Sequence, residues 1–244
     1  MAERTIRKFY LTVATDQREG GRHGVTLDGR ALRTPARHVL ELPTAGLAEA
    51  IAKEWIAQDE VVRPDAMPLT RLANAARDQV AVHREAINEQ VMAFGRTDLL
   101  CYRAGAPADL VRRQAAAWDP PLNWAREKYR IALRTGEGIG FIEQPKEPLA
   151  ALNRIVSALD DFTLIGLQGA ATICGSLILA LALAEEAIDA DKAFVASQIE
   201  PSYQAEKWGN DEEDEAKAAR IARELQDIAR FLCLLRPAVV PPIG

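Results

Sequence analysis

The sequence predicts an α+β protein, in which a small β-rich amino-terminal domain is followed by a larger all-α carboxy-terminal domain built round a buried apolar helix. Three observations predict this class. Before Pro43, short runs of aromatic and β-branched residues alternate with turns rich in Gly, Pro and polar residues. From Leu69 onward, apolar residues recur at the intervals of a helical face. Residues 163–184 contain no Asp, Glu, Lys or Arg, which is typical of a helix buried on nearly all sides.

The amino-terminal domain is predicted to be a small twisted sheet covered by one helix. Its short strands are expected at residues 8–14, 24–27, 30–34 and 39–42. The Asp28-Gly29 pair is a strong signal for a two-residue hairpin. Because so few short strands cannot close into a barrel, one face of the sheet needs a cover. Thr44 is a candidate N-cap for the covering helix, and Trp55 lies on the apolar face of that helix.

The helical domain is predicted to follow a connector, residues 61–68, that contains two prolines. The predicted domains are therefore 1–66 and 67–244. Helices are expected at residues 69–93, 108–118, 119 onward, 149–159, 163–184 and 189–201, with a glycine-containing loop at 136–145. The pair Pro120-Pro121 predicts the start of a new helix, because proline suits the first helical turn.

The last helix is the most clearly marked. Residues 211–215 are five consecutive acids in its first turn, where the helix dipole favours negative charge. Apolar residues then repeat at alternating intervals of four and three, and Pro237 ends the helix. The repeating residues are Ile221, Leu225, Ile228, Leu232 and Leu235.

The uncharged run at residues 163–184 is also long enough to span a bilayer, so a membrane-associated helical protein is an alternative. Gln168, Thr172 and Ser176 interrupt the run with a polar seam, and both flanks are acidic. Its many small residues would let neighbouring helices approach closely. We therefore expect a buried core helix and no membrane insertion.

Composition argues against several classes of function. The net charge of −5 lacks the basic footprint of a nucleic-acid-binding protein. The three histidines show no metal-ligand spacing, so neither a metal nor a cofactor is expected. The three cysteines lie far apart in apolar surroundings, which predicts buried thiols in a reducing compartment. No signal or import peptide is recognisable, and a bacterial cytoplasmic location is expected.

The sequence also lacks a catalytic constellation. It has no Gly-x-Ser-x-Gly elbow and no Walker loop, and the glycines at residues 136–140 follow no suitable strand. Neighbouring acids on a helix point in different directions, so the acidic run does not form a carboxylate pair. We expect a protein that is not an enzyme, although a small-molecule enzyme with a site between the two domains is the alternative. Each tryptophan stands beside a charged residue, which fits core packing or an aromatic anchor for a partner.

Several segments together resemble one protein family. They are RKFYLTV, VTLDGRALRTP, the Glu54-Trp55 pair, MPLTRLANAA, TDLLCYR, QAAAWDPPLNWA and AEKWGNDEE, in that order. Over nearly the whole chain they resemble the Atp12 family of ATP synthase assembly chaperones. The resemblance implies a β-rich domain followed by a helical one, and no catalysis. It also implies a partner, the unassembled alpha subunit of the soluble catalytic sector, which would be kept from aggregating until a beta subunit displaces the chaperone.

The resemblance implies site residues as well. An acid just after the Trp-Gly pair matches Glu212, with Asp211 and Glu213 as neighbours, and the tryptophan of the Glu-Trp pair matches Trp55. Trp208, next to the acids, is expected to belong to the same partner-binding surface. Such a surface would complement an exposed apolar and partly basic face on the unassembled subunit. The alternative is that the acids only cap their helix and face water.

Overall fold

The computed structural model describes residues 6–138, 140–209 and 211–236, and it confirms the predicted α+β class. The chain forms two compact units. Among the described residues, the sheet unit consists of residues 6–82 and 230–236, and the helical unit consists of residues 83–138, 140–209 and 211–229. The boundary expected between residues 66 and 67 stays a prediction.

The sheet unit contains one antiparallel sheet and one separate strand pair. The sheet is formed by β2 (Val13–Gln17), β3 (His23–Leu27) and β4 (Arg30–Ala31), and the pair by β1 (Ile6–Arg7) and β5 (Val61–Val62). The predicted hairpin between β3 and β4 is confirmed. Asp28 and Gly29 have φ of 49° and 74°, as a type I′ turn requires. The N–H groups of Thr12 and Leu11 donate hydrogen bonds to the Asp28 carboxylate, which lowers the pKa of that group.

Three strands differ from their predicted bounds. The strand expected at residues 30–34 is limited to Arg30–Ala31. The strand expected at residues 8–14 forms at Val13–Gln17, because Asp28 accepts the N–H groups of Leu11 and Thr12 in place of a strand neighbour. The strand expected at residues 39–42 is reduced to isolated bridges. A carbonyl or N–H group that pairs with a side chain is unavailable to a sheet ladder, and strand propensity does not reveal this competition.

Helix α1 (Ala45–Ile56) contacts β2 and β3 and covers the sheet, as predicted. The N–H of Leu47 donates to Oγ1 of Thr44 at 3.2 Å, so the predicted N-cap is confirmed. Leu47 and Ile51 are fully buried on the inner face of the helix, and Val25 is fully buried on the sheet. The apolar periodicity of this segment therefore identified both the helix and its buried face.

The other helices lie between residue 68 and residue 234. They are α2 (Pro68–Ala75), α3 (Ala81–Arg96), α4 (Ala108–Tyr129), α5 (Lys146–Ala158), α6 (Asp161–Cys174), α7 (Leu177–Ala184), α8 (Ala190–Ser197), α9 (Ile199–Trp208) and α10 (Glu212–Leu234). In the part of the chain that the structure describes, no helix is both long and apolar enough to cross a membrane.

Several helix boundaries correct the predictions. A π-helical turn at Ala76–Val80 interrupts the helix expected at residues 69–93. Pro201 lies in the first turn of α9 and does not end a helix. Within the loop expected at residues 136–145, strand β7 (Gly136–Glu137) pairs in parallel with β6 (Tyr102–Arg103).

The apolar run at residues 163–184 is buried, but it is not one helix. Gly175 has φ of 62° and ends α6 in the left-handed conformation, and Ser176 begins α7. The Ser176 hydroxyl accepts a hydrogen bond from the N–H of Leu179 at 3.0 Å. The core of the helical unit is therefore a pair of helices, α6 and α7, because glycine and serine satisfy the two helix ends at the break.

The expected close approach of helices at small residues is confirmed. A Cβ atom added at Gly169 of α6 would lie 2.9 Å from Cδ1 of Ile228 in α10. One added at Gly95 of α3 would lie 3.1 Å from both Leu152 and Leu177. Both distances are shorter than a normal carbon–carbon contact. These glycines are thus sites where neighbouring helices pack against bare backbone.

The new helix expected at Asp119 is wrong, because α4 continues through both prolines. Proline lacks an N–H group, so the helical hydrogen bonds to the carbonyls of Ala116 and Ala117 cannot form. Packing on the next residue offsets this loss. Trp118 is only 1% exposed, and its indole N–H donates to the carbonyl of Ala196 at 2.7 Å. A buried tryptophan therefore supports a helix that local propensity would end.

Burial of the cysteines is confirmed for two of the three. Cys101 and Cys174 are buried, and burial raises the pKa of each thiol to about 12. Cys233 is exposed, which corrects the expectation that all three thiols are buried. In α10, Leu225, Ile228, Phe231 and Leu232 form the buried face, and Cys233 lies outside it.

Candidate interaction surface

The TDLLCYR segment, residues 97–103, forms side-chain hydrogen bonds that connect separate elements of the helical unit. Asp98 is completely buried, and its carboxylate accepts hydrogen bonds from the N–H of Leu100 at 3.1 Å and from the N–H of Ile178 at 3.0 Å. It thereby caps the first turn of α7 from a distant part of the sequence. Burial raises the pKa of the Asp98 carboxyl to about 6. Arg103 donates to the carbonyl of Leu100 and to the carboxylate of Asp119, both at 2.8 Å.

The QAAAWDPPLNWA segment, residues 114–125, likewise contributes side-chain contacts that connect separate elements of the helical unit. Gln114 is buried and bridges two elements. Its Oε1 accepts from the N–H of Ala104, and its Nε2 donates to the carboxylate of Glu200, both at 2.8 Å. The Arg103 guanidinium lies 5.2 Å from the centre of the Trp118 ring, within range of a cation–π contact. Much of the sequence resemblance therefore reflects the packing of the helical unit.

The Glu54-Trp55 pair combines a structural residue with an aromatic one. The Glu54 carboxylate accepts hydrogen bonds from the N–H groups of Leu69 and Thr70, both at 2.8 Å, and so caps α2. Burial raises the pKa of Glu54. Trp55 is half-buried, and its ring packs edge-on against Tyr10 with a centroid distance of 5.5 Å. Among the described residues, the buried indole N–H of Trp55 has no hydrogen-bond partner.

Exposed apolar side chains lie in the segments that contain Tyr10 and Trp55, and we call them the patch around Trp55. The patch consists of Ile6, Phe9, Leu11 and Ile56, which are 48%, 66%, 93% and 59% exposed. Phe9 packs on Tyr10, whose hydroxyl donates to the carbonyl of Trp55 at 2.7 Å, so the aromatic residues are contiguous. We did not predict these neighbours from the sequence. A signal was present, since Phe9 and Leu11 alternate with the buried Tyr10, which puts apolar side chains on both faces of an edge segment.

Trp208 is 80% exposed, more than any other large apolar side chain among the described residues of the helical unit. It is the last residue of α9, which ends at Gly209 with φ of 90°. Asp211 caps α10 by accepting a hydrogen bond from the N–H of Asp214 at 2.8 Å. A tryptophan whose side chain faces solvent gains little from folding. Its position beside an acidic helix start therefore indicates a contact surface.

Glu212 and Glu213 are exposed, as are all the acids at residues 211–215. Within the described ranges, neither glutamate forms an ion pair or a side-chain hydrogen bond. The expectation that the acids cap their helix therefore fits Asp211, whereas Glu212 and Glu213 are exposed in the first turn of α10, where the helix dipole favours negative charge.

An open groove runs beside Trp208, with a volume of about 640 Å³. It is formed by α8, α9 and the first turns of α10, and its apolar lining includes Phe194, Pro201, Ala205 and Ile221. Trp208, Asp214 and Lys217 also line it. The groove, Trp208 and the exposed acids of residues 211–215 together form what we call the acidic groove. Of the predicted site residues, Trp208 lines the groove itself, Asp211, Glu212 and Glu213 precede the groove-lining Asp214 in the chain, and Trp55 belongs to the sheet unit.

Comparison with known proteins extends this description. Residues 7–126 match the family described as ATP12 chaperone protein. Atp12 from Paracoccus denitrificans, for which a crystal structure is known, is 45% identical in sequence to this chain. The two structures align with a TM-score of 0.90 over 95% of this chain and 99% of that one. An aspartate-to-lysine mutant of the same protein is similar with a TM-score of 0.91, over 95% of this chain and 98% of that one. The mitochondrial protein atp12 of Schizosaccharomyces pombe is 26% identical over 84% of this chain and 75% of its own length.

The fold and these comparisons define the class of protein as a chaperone with a β-rich part followed by a larger helical part. The chain belongs to the Atp12 family of ATP synthase assembly chaperones. The expected resemblance is thereby confirmed.

Proposed function

We propose that this chaperone binds the unassembled alpha subunit of ATP synthase and prevents its aggregation until a beta subunit displaces it. The proposal depends chiefly on one observation: Trp208 is 80% exposed and lines the groove with Asp214, which lies in the same exposed acidic run as Glu212 and Glu213. An exposed aromatic side chain with adjacent charge is typical of the anchor of a protein interface. Such a surface supports recognition of an apolar client face that also carries basic residues.

The apolar patch around Trp55 supports a second contact in the sheet unit. Phe9, Leu11 and Ile56 are mostly exposed to solvent, and exposed apolar side chains that lie together are typical of a partner-binding surface. A client that buried them would also shield the half-buried Trp55. We therefore propose Trp55 as a partner-binding residue through this patch, and Trp208, Asp211, Glu212 and Glu213 through the acidic groove.

The proposed mechanism is binding without catalysis, in the cytoplasm of a bacterium. The strongly shifted groups, Asp98, Cys101 and Cys174, are buried in the helical core, where Asp98 caps α7 and burial raises the pKa of both thiols. Release of the client requires only that a beta subunit compete for the same face with higher affinity. No metal, cofactor or nucleic acid is part of this mechanism.

Co-purification tests the proposal. The chaperone is immobilised, the alpha subunit of the same organism is applied, and beta subunit is then added. We expect capture of alpha followed by its release into a complex with beta. If folded alpha and beta both pass through without being retained, the alpha-subunit assignment is wrong.

Variants identify the surface that is used in this assay. Glu212→Lys should weaken the capture of alpha. Glu127→Lys provides the matched control, because Glu127 is also an exposed helical glutamate and the change in net charge is the same. Equal capture by both variants and the native chain would exclude the acidic groove as the binding surface.

A further inference from the structure

The acidic groove is built from matching faces of helices. On α9, Pro201, Ala205 and Trp208 follow one another at intervals of four and three residues, which places them on one face. On α10, Asp214, Ala218 and Ile221 do the same. Consecutive helices usually bury such faces against each other. Here the two faces line an open groove, and Ala205, Ala218 and Ile221 stay partly exposed in it.

The shape of the groove favours a helix as its occupant. Its walls belong to α8, α9 and α10, and no strand edge that could pair with an extended peptide lines it. Recognition of a helix in a groove uses apolar anchors spaced by three and four residues, the same spacing that lines these walls. The small side chains of Ala205 and Ala218 leave room for larger side chains from a partner.

The charge around the groove indicates which kind of helix fits. Asp214 lines the groove together with Trp208 and Lys217, and the other acids of residues 211–215 are exposed in the same part of α10. Within the described residues, none of these five acids forms an ion pair. A partner with Lys or Arg facing them would compensate the excess of acids over Lys217. A second copy of this chain would bring the same acids and a net charge of −5, which disfavours self-association at this surface.

We propose that the acidic groove holds one amphipathic helix of the alpha subunit, with its apolar face between α9 and α10 and basic residues next to residues 211–215. This inference depends on the proposed function, since it names the element of the client that this surface recognises. Trp208 covers one end of the bound helix, and Phe194 and Ile221 contact its apolar face.

Photo-crosslinking tests the proposal on the full chain with intact alpha subunit. Benzoylphenylalanine is placed at Gln204, which is exposed and lines the groove, and at Glu127 as an exposed control on α4. Crosslinked segments are identified by mass spectrometry. We expect Gln204 to crosslink to one helix of alpha that carries Lys or Arg at one end, and Glu127 to give no comparable product.

The other outcomes overturn the inference in separable ways. If alpha is captured but Gln204 crosslinks no better than Glu127, the proposed function stands and the groove assignment is wrong. If Gln204 crosslinks to a strand, a loop or an acidic segment of alpha, the groove assignment is also wrong and the proposed function stands. A product with a second copy of this chain, or with another segment of the same chain, also refutes the inference. If alpha is not captured at all, the proposed function fails first.

A groove-filling substitution gives an independent measurement. Ala218→Arg places a large side chain in the groove, whereas Ala219→Arg puts the same charge on an exposed neighbouring position of α10. We expect Ala218→Arg to weaken binding of alpha by about tenfold or more, and Ala219→Arg to leave it within about twofold. Circular dichroism checks that both variants fold. Equal affinities of the two folded variants would show that the groove does not hold the client.

Discussion

Trp118 and Trp208 lie in neighbouring helices of the helical unit, yet one is 1% and the other 80% exposed. Trp118 donates its indole N–H to the carbonyl of Ala196, whereas Trp208 stands at the open end of α9. The same contrast separates the buried Asp98 from the exposed Glu212. Residue type alone does not distinguish these roles. Burial does, because a side chain that contributes little to folding is available for a partner.

The two tryptophans provide a prediction about stability. Trp118→Ala should lower the free energy of unfolding by about 3–5 kcal/mol, because it removes a fully buried aromatic ring and its hydrogen bond. Trp208→Ala should change that energy by less than about 0.5 kcal/mol, because the side chain is mostly solvated. Urea unfolding of both variants measures the difference. A loss of several kcal/mol for Trp208→Ala would mean that this side chain serves the fold and not a partner.

Asp98 provides a prediction about pH. Its pKa is about 6 in the folded chain and 3.8 in the unfolded reference, so the folded state binds the proton more tightly. The resulting stabilisation is complete below the unfolded pKa and is lost as the pH rises through 6. Since one pKa unit corresponds to about 1.4 kcal/mol, the loss amounts to about 3 kcal/mol.

Asp98→Asn removes the titratable carboxyl, so the difference in stability between this variant and the native chain reports the titration of Asp98. The variant should be less stable at every pH, because its amide N–H₂ cannot accept the hydrogen bond from Ile178. The deficit relative to the native chain should shrink by about 2 kcal/mol between about pH 4 and about pH 7. Chemical unfolding at several pH values measures it. A deficit that stays constant with pH would contradict the raised pKa.

At the scale of elements, local sequence patterns predicted individual helices and turns better than they predicted where one helix ends and the next begins. The covering helix α1, its Thr44 cap and the Asp28-Gly29 hairpin followed from local patterns. The continuity of α4 did not, because the contact that supports it joins Trp118 to Ala196, a residue far away in the sequence. The capping of α7 by Asp98 has the same non-local origin. Sequence patterns report local preferences, and tertiary contacts override them at these junctions.

The candidate site was predictable to a similar extent. Family resemblance and residue type pointed to Trp55, Trp208 and the acids of residues 211–215. The patch around Trp55 and the groove beside Trp208 were not predicted, because each is made by residues from separate elements. Their depth and exposure depend on how those elements pack.

The break between α6 and α7 gives a prediction at this scale. Gly175→Ala should cost about 1–2 kcal/mol, because an L-residue is disfavoured at φ of 62°. Steric overlap adds little, since the added Cβ would be 3.8 Å from its nearest neighbour, Cβ of Leu99. Gly140→Ala is the control, with open space around its Cβ. Thermal unfolding compares the two variants, and equal midpoints would show that the left-handed conformation at residue 175 accommodates an L-residue without cost.

At the scale of the whole molecule, charge should affect how fast the chaperone meets its client. The chain has a net charge of −5, and five consecutive acids are exposed at the start of α10. Complementary potentials raise association rates, and added salt reduces the effect. If a basic face of the alpha subunit is recognised, association should slow as salt increases, while dissociation should change less.

Local charge and total charge can be separated by one pair of variants. Glu212→Lys and Glu127→Lys each change the net charge by the same amount, but only the first alters the acidic groove. Stopped-flow association with the alpha subunit should be slowed about tenfold by Glu212→Lys at low salt, with a flatter salt dependence. Glu127→Lys should slow it by less than about twofold. Equal slowing by both variants would mean that the overall charge of the molecule, and not the acids beside Trp208, governs the encounter.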